Sequence, residues 1–209
     1  MTEPIAVASG RPSSDIPGYR LLFPPGWAEY GVDEGAERDL LVRTRAKIKP
    51  LGRPDLDFSI TASIKSAFRQ LRSRDAFALY LPSEVSEDAI LPMSITASRL
   101  VDPLGGPLDG QITAVFRDHG GEFLGDDRNI VRWRRVHRSL EGLPGLSDQQ
   151  VNYAIPVMGT GRRMALLLST SIIQDPAGSI SEDSIEMMVA LSDSIVGTFT
   201  WASAMRPRN

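Results

Sequence analysis

The chain has 209 residues, of which 42% are hydrophobic and 23% charged, a composition typical of a globular protein that can bury a core. It contains no cysteine, which excludes disulfides and thiolate metal sites. The formal net charge of −3 argues against a general nucleic-acid-binding protein, because such proteins usually have a basic excess.

The two ends of the chain predict tails around a single domain. Residues 1–15 are rich in Ser, Pro and Gly and predict a flexible N-terminal tail, with one domain over 16–202 and a C-terminal tail over 203–209.

The first residues lack the basic start and apolar run of a signal peptide. No apolar stretch is long enough to span a bilayer. We therefore expect a cytoplasmic protein with no membrane insertion.

The first half of the chain predicts a strand followed by two helices. Tyr19, Leu21 and Phe23 alternate as in a strand, and Pro24-Pro25-Gly26 ends it. Residues 36–49 (AERDLLVRTRAKIK) can form a helix, although LLVRTRAKIK also alternates as a strand would. A second helix follows, with Asp55 or Asp57 as its N-cap. Its apolar stripe consists of Ile60, Ile64, Ala67, Phe68 and Leu71.

Strands and loops follow these helices. Ala76–Pro82 and Met93–Val101 predict strands, and the acidic segment SEVSEDAI between them predicts a loop or helical turn. Gln111–Asp118 is ambiguous between a strand and a short helix. HGGEFLGDDRN then predicts a loop.

The second half of the chain predicts an antiparallel meander. Its strands are Ile130–Arg138, Gln149–Met158 and Arg162–Ile173, and GTG forms a hairpin loop between the last two. Apolar residues on both faces of Arg162–Ile173 indicate a central strand. Grouped strands with helices between and after them predict an α+β fold, in which helices flank an antiparallel β-sheet.

The clearest helix predicted lies near the C-terminus. It runs from Ser184 to about Phe199, and Ser181 with the acids Glu182 and Asp183 suits its N-terminus. Its apolar positions follow helical spacing. We expect this long helix to pack on the sheet.

No catalytic or metal-binding motif is found in the sequence. The chain has two histidines, His119 and His137, and neither belongs to a motif that supplies a nucleophile or a zinc site. The Gly-x-Gly in MGTGRRM lacks the third glycine and the following helix of a dinucleotide-binding turn. We therefore expect no enzyme, no cofactor and no metal.

The most unusual segment is the arginine-rich strip VRWRRVHR, Val131–Arg138. As a strand, it places Val131, Trp133, Arg135 and His137 on one face, and Arg132, Arg134, Val136 and Arg138 on the other. One interpretation is a peripheral strand whose arginines pair with acids on the neighbouring strand. Another is a surface for a protein partner, since Trp and Arg are favoured at binding hot spots. The candidate partner-binding residues are Trp133, Arg132, Arg134, Arg135, His137 and Arg138.

Two stretches together resemble a known family. YRLLFPPGWAEY is an aromatic strand followed by Phe-Pro-x-Gly-Trp, and RRMALLLSTSIIQDPAGSISEDSIEMMVALSDSIVGTFTW is a strand, a Pro-containing loop, a long helix and a final Trp. They resemble the PsbP-like fold, which a Ran-binding nuclear import factor and DcrB-like bacterial proteins share. The resemblance implies an antiparallel sheet flanked by helices and binding instead of catalysis. Some bacterial relatives are chaperones for apolar segments of secreted effectors.

These observations lead to one main hypothesis and two alternatives. The main hypothesis is a non-catalytic cytoplasmic protein-binding module, such as a secretion-associated adaptor or chaperone. The first alternative is a small-ligand-binding protein or enzyme with a cleft near His137, Arg135 and Trp133. The second is a structural subunit of a homo-oligomer.

Overall fold

The computed structural model describes residues 6–10, 15–82, 91–126, 128–137, 146–174 and 180–202. The strands are β1 (Ala6–Gly10), β2 (Tyr19–Phe23), β3 (Trp27–Gly31), β4 (Ala76–Pro82), β5 (Met93–Val101), β6 (Glu122–Phe123), β7 (Val131–His137), β8 (Ser147–Pro156), β9 (Met164–Gln174) and β10 (Thr200–Trp201). The helices are α1 (Glu34–Ile48), α2 (Pro54–Ser73), α3 (Asp109–Asp118) and α4 (Glu182–Gly197), with a 3-10 turn at Lys49–Leu51.

Seven of these strands form the main sheet. Their order is β3-β4-β5-β9-β8-β7-β6, and every neighbouring pair is antiparallel. The α+β class and the β7-β8-β9 meander are therefore confirmed. β9 is central, as its apolar residues on both faces predict. Gly159 and Gly161 have positive φ angles in the β8–β9 hairpin, a conformation that glycine adopts without steric cost.

The largest core lies between α4 and one face of the main sheet, which we call the front face. The helix contributes Ile185, Met188, Val189, Ile195 and Val196. The sheet contributes alternate residues of β4, β5, β8 and β9, including Tyr80, Ile95, Tyr153, Leu166, Leu168 and Ile172. Burial of this apolar surface is the main force that holds α4 on the sheet, as predicted.

A small sheet of order β1-β2-β10 joins the same core. Tyr19, Leu21 and Phe23 alternate into it from β2, while Leu22 N donates to Thr198 Oγ1 at 2.9 Å. β1 lies within residues 1–15, the predicted flexible tail, and it pairs antiparallel with β2 along its length. The predicted C-terminal tail, 203–209, lies outside the described residues. The domain boundaries stay a prediction.

The opposite face of the main sheet, the back face, is covered by two separate helical units. The α1–α2 hairpin packs on β3 and β4 through a core of Val32, Phe68 and Leu79. Helix α3 packs at the other side of the sheet, where Val115 contacts a cluster that includes Val131. The same cluster includes Ala154 of β8, and Leu100 of β5 and Leu167 of β9 pack against it.

Two ambiguous segments are helices. Residues 36–48 lie in α1 and Lys49 begins the 3-10 turn; the helix begins after Asp33 because the Asp33 carboxylate accepts a hydrogen bond from Ala36 N at 2.8 Å. Gln111–Asp118 lies in α3, where Val115 points into the core. The two-residue strand β6 lies inside HGGEFLGDDRN, predicted as a loop, and SEVSEDAI lies outside the described residues.

The predicted N-cap of α2 is wrong, whereas that of α4 is confirmed. Helix α2 begins at Pro54, which lacks an N–H and suits the first helical position, so Asp55 and Asp57 lie inside the first turn. Helix α4 begins at Glu182, because Ser181 Oγ accepts from Ser184 N at 3.2 Å.

Three tyrosines in the front-face core make stability sensitive to high pH. Tyr19 Oη and Tyr80 Oη lie 2.8 Å apart, and burial raises the pKa of both and of Tyr153 far above the usual range. The folded state holds these protons above the ordinary tyrosine pKa of about 10, so stability should fall as pH rises beyond it. Absorbance at alkaline pH should show these phenolates appearing only together with loss of near-UV circular dichroism. Ionisation before unfolding would contradict this.

Candidate functional site

Strand β7 contains most of the arginine-rich strip and lies one strand from the edge of the main sheet. β8 pairs with it from Val131 to His137. β6 pairs only with Val131 and Arg132 on the other side. The prediction of a peripheral strand is therefore confirmed. Arg138 lies outside the described residues.

On the front face, Arg132 binds helix α4. Its Nε and Nη2 donate to the two carboxylate oxygens of Asp193 at 2.7 and 3.0 Å, a bidentate geometry that favours strong charge-assisted hydrogen bonds. Its Nη1 donates to Glu122 Oε1 on β6 at 2.5 Å. The Arg132 side chain is only 12% exposed. Arg132 thus links β7 to both β6 and α4.

A chain of hydrogen bonds extends this link into the core. Tyr153 Oη on β8 donates to Asp193 Oδ1 at 2.7 Å and lies 2.8 Å from Ser192 Oγ. Ser192 Oγ in turn lies 2.5 Å from Thr170 Oγ1 on β9. Burial raises the pKa of Tyr153, so its phenol keeps the proton that it donates. The network fixes α4 across three strands.

Arg134 repeats this arrangement nearer the surface. Its Nη2 donates to Glu186 Oε1 on α4 at 2.7 Å. The sequence predicted acids on the neighbouring strand, and Glu122 on β6 is such an acid. Asp193 and Glu186, however, lie on α4, because the front face is covered by a helix that long arginine side chains reach. The pairing with acids is confirmed for Arg132 and Arg134, and the location of two of their three acids is corrected.

On the back face, Trp133 is part of the core. It is 7% exposed and clusters with Val115 of α3, Val131 and Ala154. Its Nε1–H is buried and has no hydrogen-bond acceptor among the described residues. The indole therefore contributes apolar packing beneath α3. Its predicted role in partner binding stays a prediction.

The last three residues of β7 are exposed, and we call Arg135, Val136 and His137 the open half of β7. Arg135 Nη2 lies 2.9 Å from His119 Nε2 at the C-terminus of α3. A guanidinium can only donate, so His119 Nε2 is the acceptor in this contact. Arg135 differs in this from Arg132 and Arg134, each of which binds a carboxylate.

Beyond Trp133, the back face of β8 and β9 contains a group of polar residues. Ser169 Oγ donates to Asn152 Oδ1 at 2.8 Å, and Ser171 Oγ donates to Asp148 Oδ1 at 2.6 Å. Asp148 lies opposite His137 in the β7–β8 register. A hydrolytic triad needs a histidine between serine and carboxylate, whereas this serine binds the carboxylate directly. The contact therefore explains buried polar groups and does not activate a nucleophile.

In the part of the chain that the structure describes, no three His, Asp or Glu side chains gather as metal ligands. Among the same residues, no helix is both long and apolar enough to cross a bilayer.

Comparisons with known proteins return two solved structures. No family model matches the chain, and no curated protein does. The Ran-binding protein Mog1p of Saccharomyces cerevisiae is 11% identical, with 88% of this chain and 89% of that chain covered, at a TM-score of 0.42. A point mutant of protein Mog1 is 13% identical, with 88% and 90% covered, at a TM-score of 0.39. At this level neither structure indicates a function for this chain. The predicted likeness to DcrB-like proteins stays a prediction.

The strip therefore separates into two parts. In the first part, Arg132 and Arg134 bind acidic side chains and Trp133 is buried in the core. The second part is the open half of β7, which is exposed. The sequence reasoning missed Asp193 and Glu186 as partners of the arginines. A signal was present, because these acids are seven residues apart and so lie on one face of a helix.

Proposed function

We propose that the protein is a non-catalytic protein-binding module that contacts its partner through the open half of β7. One observation carries the proposal: of the seven residues of β7, only Arg135, Val136 and His137 are exposed. Arginine is a preferred residue at binding hot spots. A secretion-associated adaptor or chaperone in the cytoplasm is a narrower form of this proposal, and gene neighbours that encode secretion machinery would support it.

The mixture of side chains in the open half favours a protein as the partner. Val136 is 61% exposed and lies between the polar side chains of Arg135 and His137 along the strand. An apolar contact surrounded by polar ones is the common arrangement of a protein interface. The net charge of −3 disfavours a nucleic-acid backbone as the partner.

Arg135→Glu should strongly weaken partner binding without unfolding the protein. Arg135 is exposed and contacts His119, not a carboxylate, so we expect the free energy of unfolding to change by no more than about 0.5 kcal/mol. Charge reversal at the interface should reduce partner recovery by about tenfold or more. Quantitative affinity capture from lysate of the source organism, followed by mass spectrometry, measures it.

The control is Arg69→Glu, which makes the same charge change at an exposed position of α2. It should recover the same proteins as the wild type. If every protein recovered by the wild type is recovered equally by Arg135→Glu, the open half of β7 is not the binding surface.

A further inference from the structure

The outer edge of β7 is unpaired beyond Arg132 within the described ranges. Leu124 N donates to Ile130 O at 2.9 Å, which shows that the backbone groups of even-numbered residues face the β6 side. Backbone groups alternate between the two sides of a strand. Arg134 and Val136 therefore direct their N–H and C=O groups outward, and no described strand pairs with them.

We propose that an extended, acidic segment of the partner protein adds to this edge as a further strand of the main sheet. The inference rests on the function proposed above and specifies its binding mode. In such strand addition, main-chain hydrogen bonds supply affinity and the alternating side chains supply specificity. The outward groups of Arg134 and Val136 are the hydrogen-bonding groups available for it.

The side chains of the open half define the chemistry of the added strand. Arg135 and His137 lie on the back face, and Arg135 contacts a histidine where the other two arginines contact acids. Acidic residues of the incoming strand opposite these positions would form favourable cross-strand pairs. Val136 points to the other face, so an apolar residue belongs opposite it. The partner segment therefore has an apolar residue opposite Val136, with an acidic residue on either side of it.

A second copy of this chain is a poor occupant of the same edge. Pairing two β7 edges about Arg135 would set Arg135 against Arg135, and like charges directly opposite are destabilising. Cationic side chains at a sheet edge are a common protection against self-association. Charge complementarity thus favours an acidic segment of a different protein over a homo-oligomer.

The test uses the full chain and two blocked nine-residue peptides, one alternating glutamate with valine and one alternating lysine with valine. Backbone amide signals in nuclear magnetic resonance report the site, and the only two histidines, His119 and His137, report on the back face. The glutamate peptide should shift the amides of residues 134–137 and both imidazoles. The lysine peptide should leave them unchanged.

The decisive variant is Val136→Pro, which removes one outward N–H and which an edge strand tolerates. Because an outward hydrogen bond is lost and the ring blocks strand approach, we expect the dissociation constant of the glutamate peptide to rise about tenfold. Val136→Thr keeps the N–H and the β-branch, and it should stay within about threefold of the wild type. Melting temperatures establish that both variants are folded.

If Val136→Pro does not fold, the charge-reversed double variant Arg135→Glu with His137→Glu replaces it. That variant should bind the lysine peptide in preference to the glutamate peptide. Equal binding of both peptides by the wild type, or a folded Val136→Pro variant with wild-type affinity, would overturn strand addition. In that case protein capture that still depends on Arg135 would leave the proposed function standing. Capture independent of Arg135 would instead remove the open half of β7 as the binding surface.

Discussion

Trp133→Ala should lower the free energy of unfolding by about 3–5 kcal/mol, the usual cost of truncating a buried aromatic side chain. The indole fills the space between β7 and α3, where it clusters with Val115 and Ala154. Trp133→Phe should cost much less, because the ring stays apolar and the Nε1–H has no acceptor among the described residues to lose. Urea unfolding followed by far-UV circular dichroism measures both values.

The matched control for this prediction is Leu104→Ala, which removes a leucine side chain that is 95% exposed and should change stability by less than about 0.5 kcal/mol. A Trp133→Ala variant as stable as the wild type would show that the indole is not part of the core, and the division of the strip into two parts would then be wrong.

Asp193→Ala should cost about 3 kcal/mol, because removal of one member of a largely buried ion pair leaves the charge of Arg132 poorly compensated. Asp193 accepts hydrogen bonds from Arg132 and Tyr153, and its own side chain is 26% exposed. Glu122 still contacts Arg132, which keeps the expected cost at the lower end for buried pairs. The loss should appear as a reduced urea midpoint with an unchanged m-value.

Asp109→Ala provides the comparison, since it removes the acid of the exposed pair with Arg162. Surface pairs are worth about 0–1 kcal/mol, so this variant should remain close to the wild type. Equal losses for Asp193→Ala and Asp109→Ala would mean that the Arg132 network does not anchor α4.

Local pattern was sufficient to predict most strands and the last helix. Ala76–Pro82 and Met93–Val101 are strands with the bounds that their alternation predicts. Residues 36–49 remained ambiguous because the β-branched and basic residues there fit both the 3.6-residue period of a helix and the two-residue period of a strand. The Asp33 cap and packing of α1 against α2 decide the outcome, and the second of these is a tertiary contact.

The candidate site was only partly predictable for the same reason. Strand alternation correctly separated Arg132 from Trp133, but it could not show which face a helix covers. The pairing of Arg132 and Arg134 with acids of α4 depends on how a helix that lies 61 and 52 residues further along the chain crosses the sheet. The exposure of Val136, by contrast, follows from the position of β7 near the edge.

Hydrogen exchange of the protein alone and bound to its captured partner tests the central claim most directly. The amides of Arg134 and Val136 lie on the open edge, so they should exchange quickly in the free protein and slowly in the complex. Protection on binding should be concentrated in residues 134–137. Protection that appears elsewhere and leaves these amides in fast exchange would contradict the assignment of the open half of β7 as the binding surface.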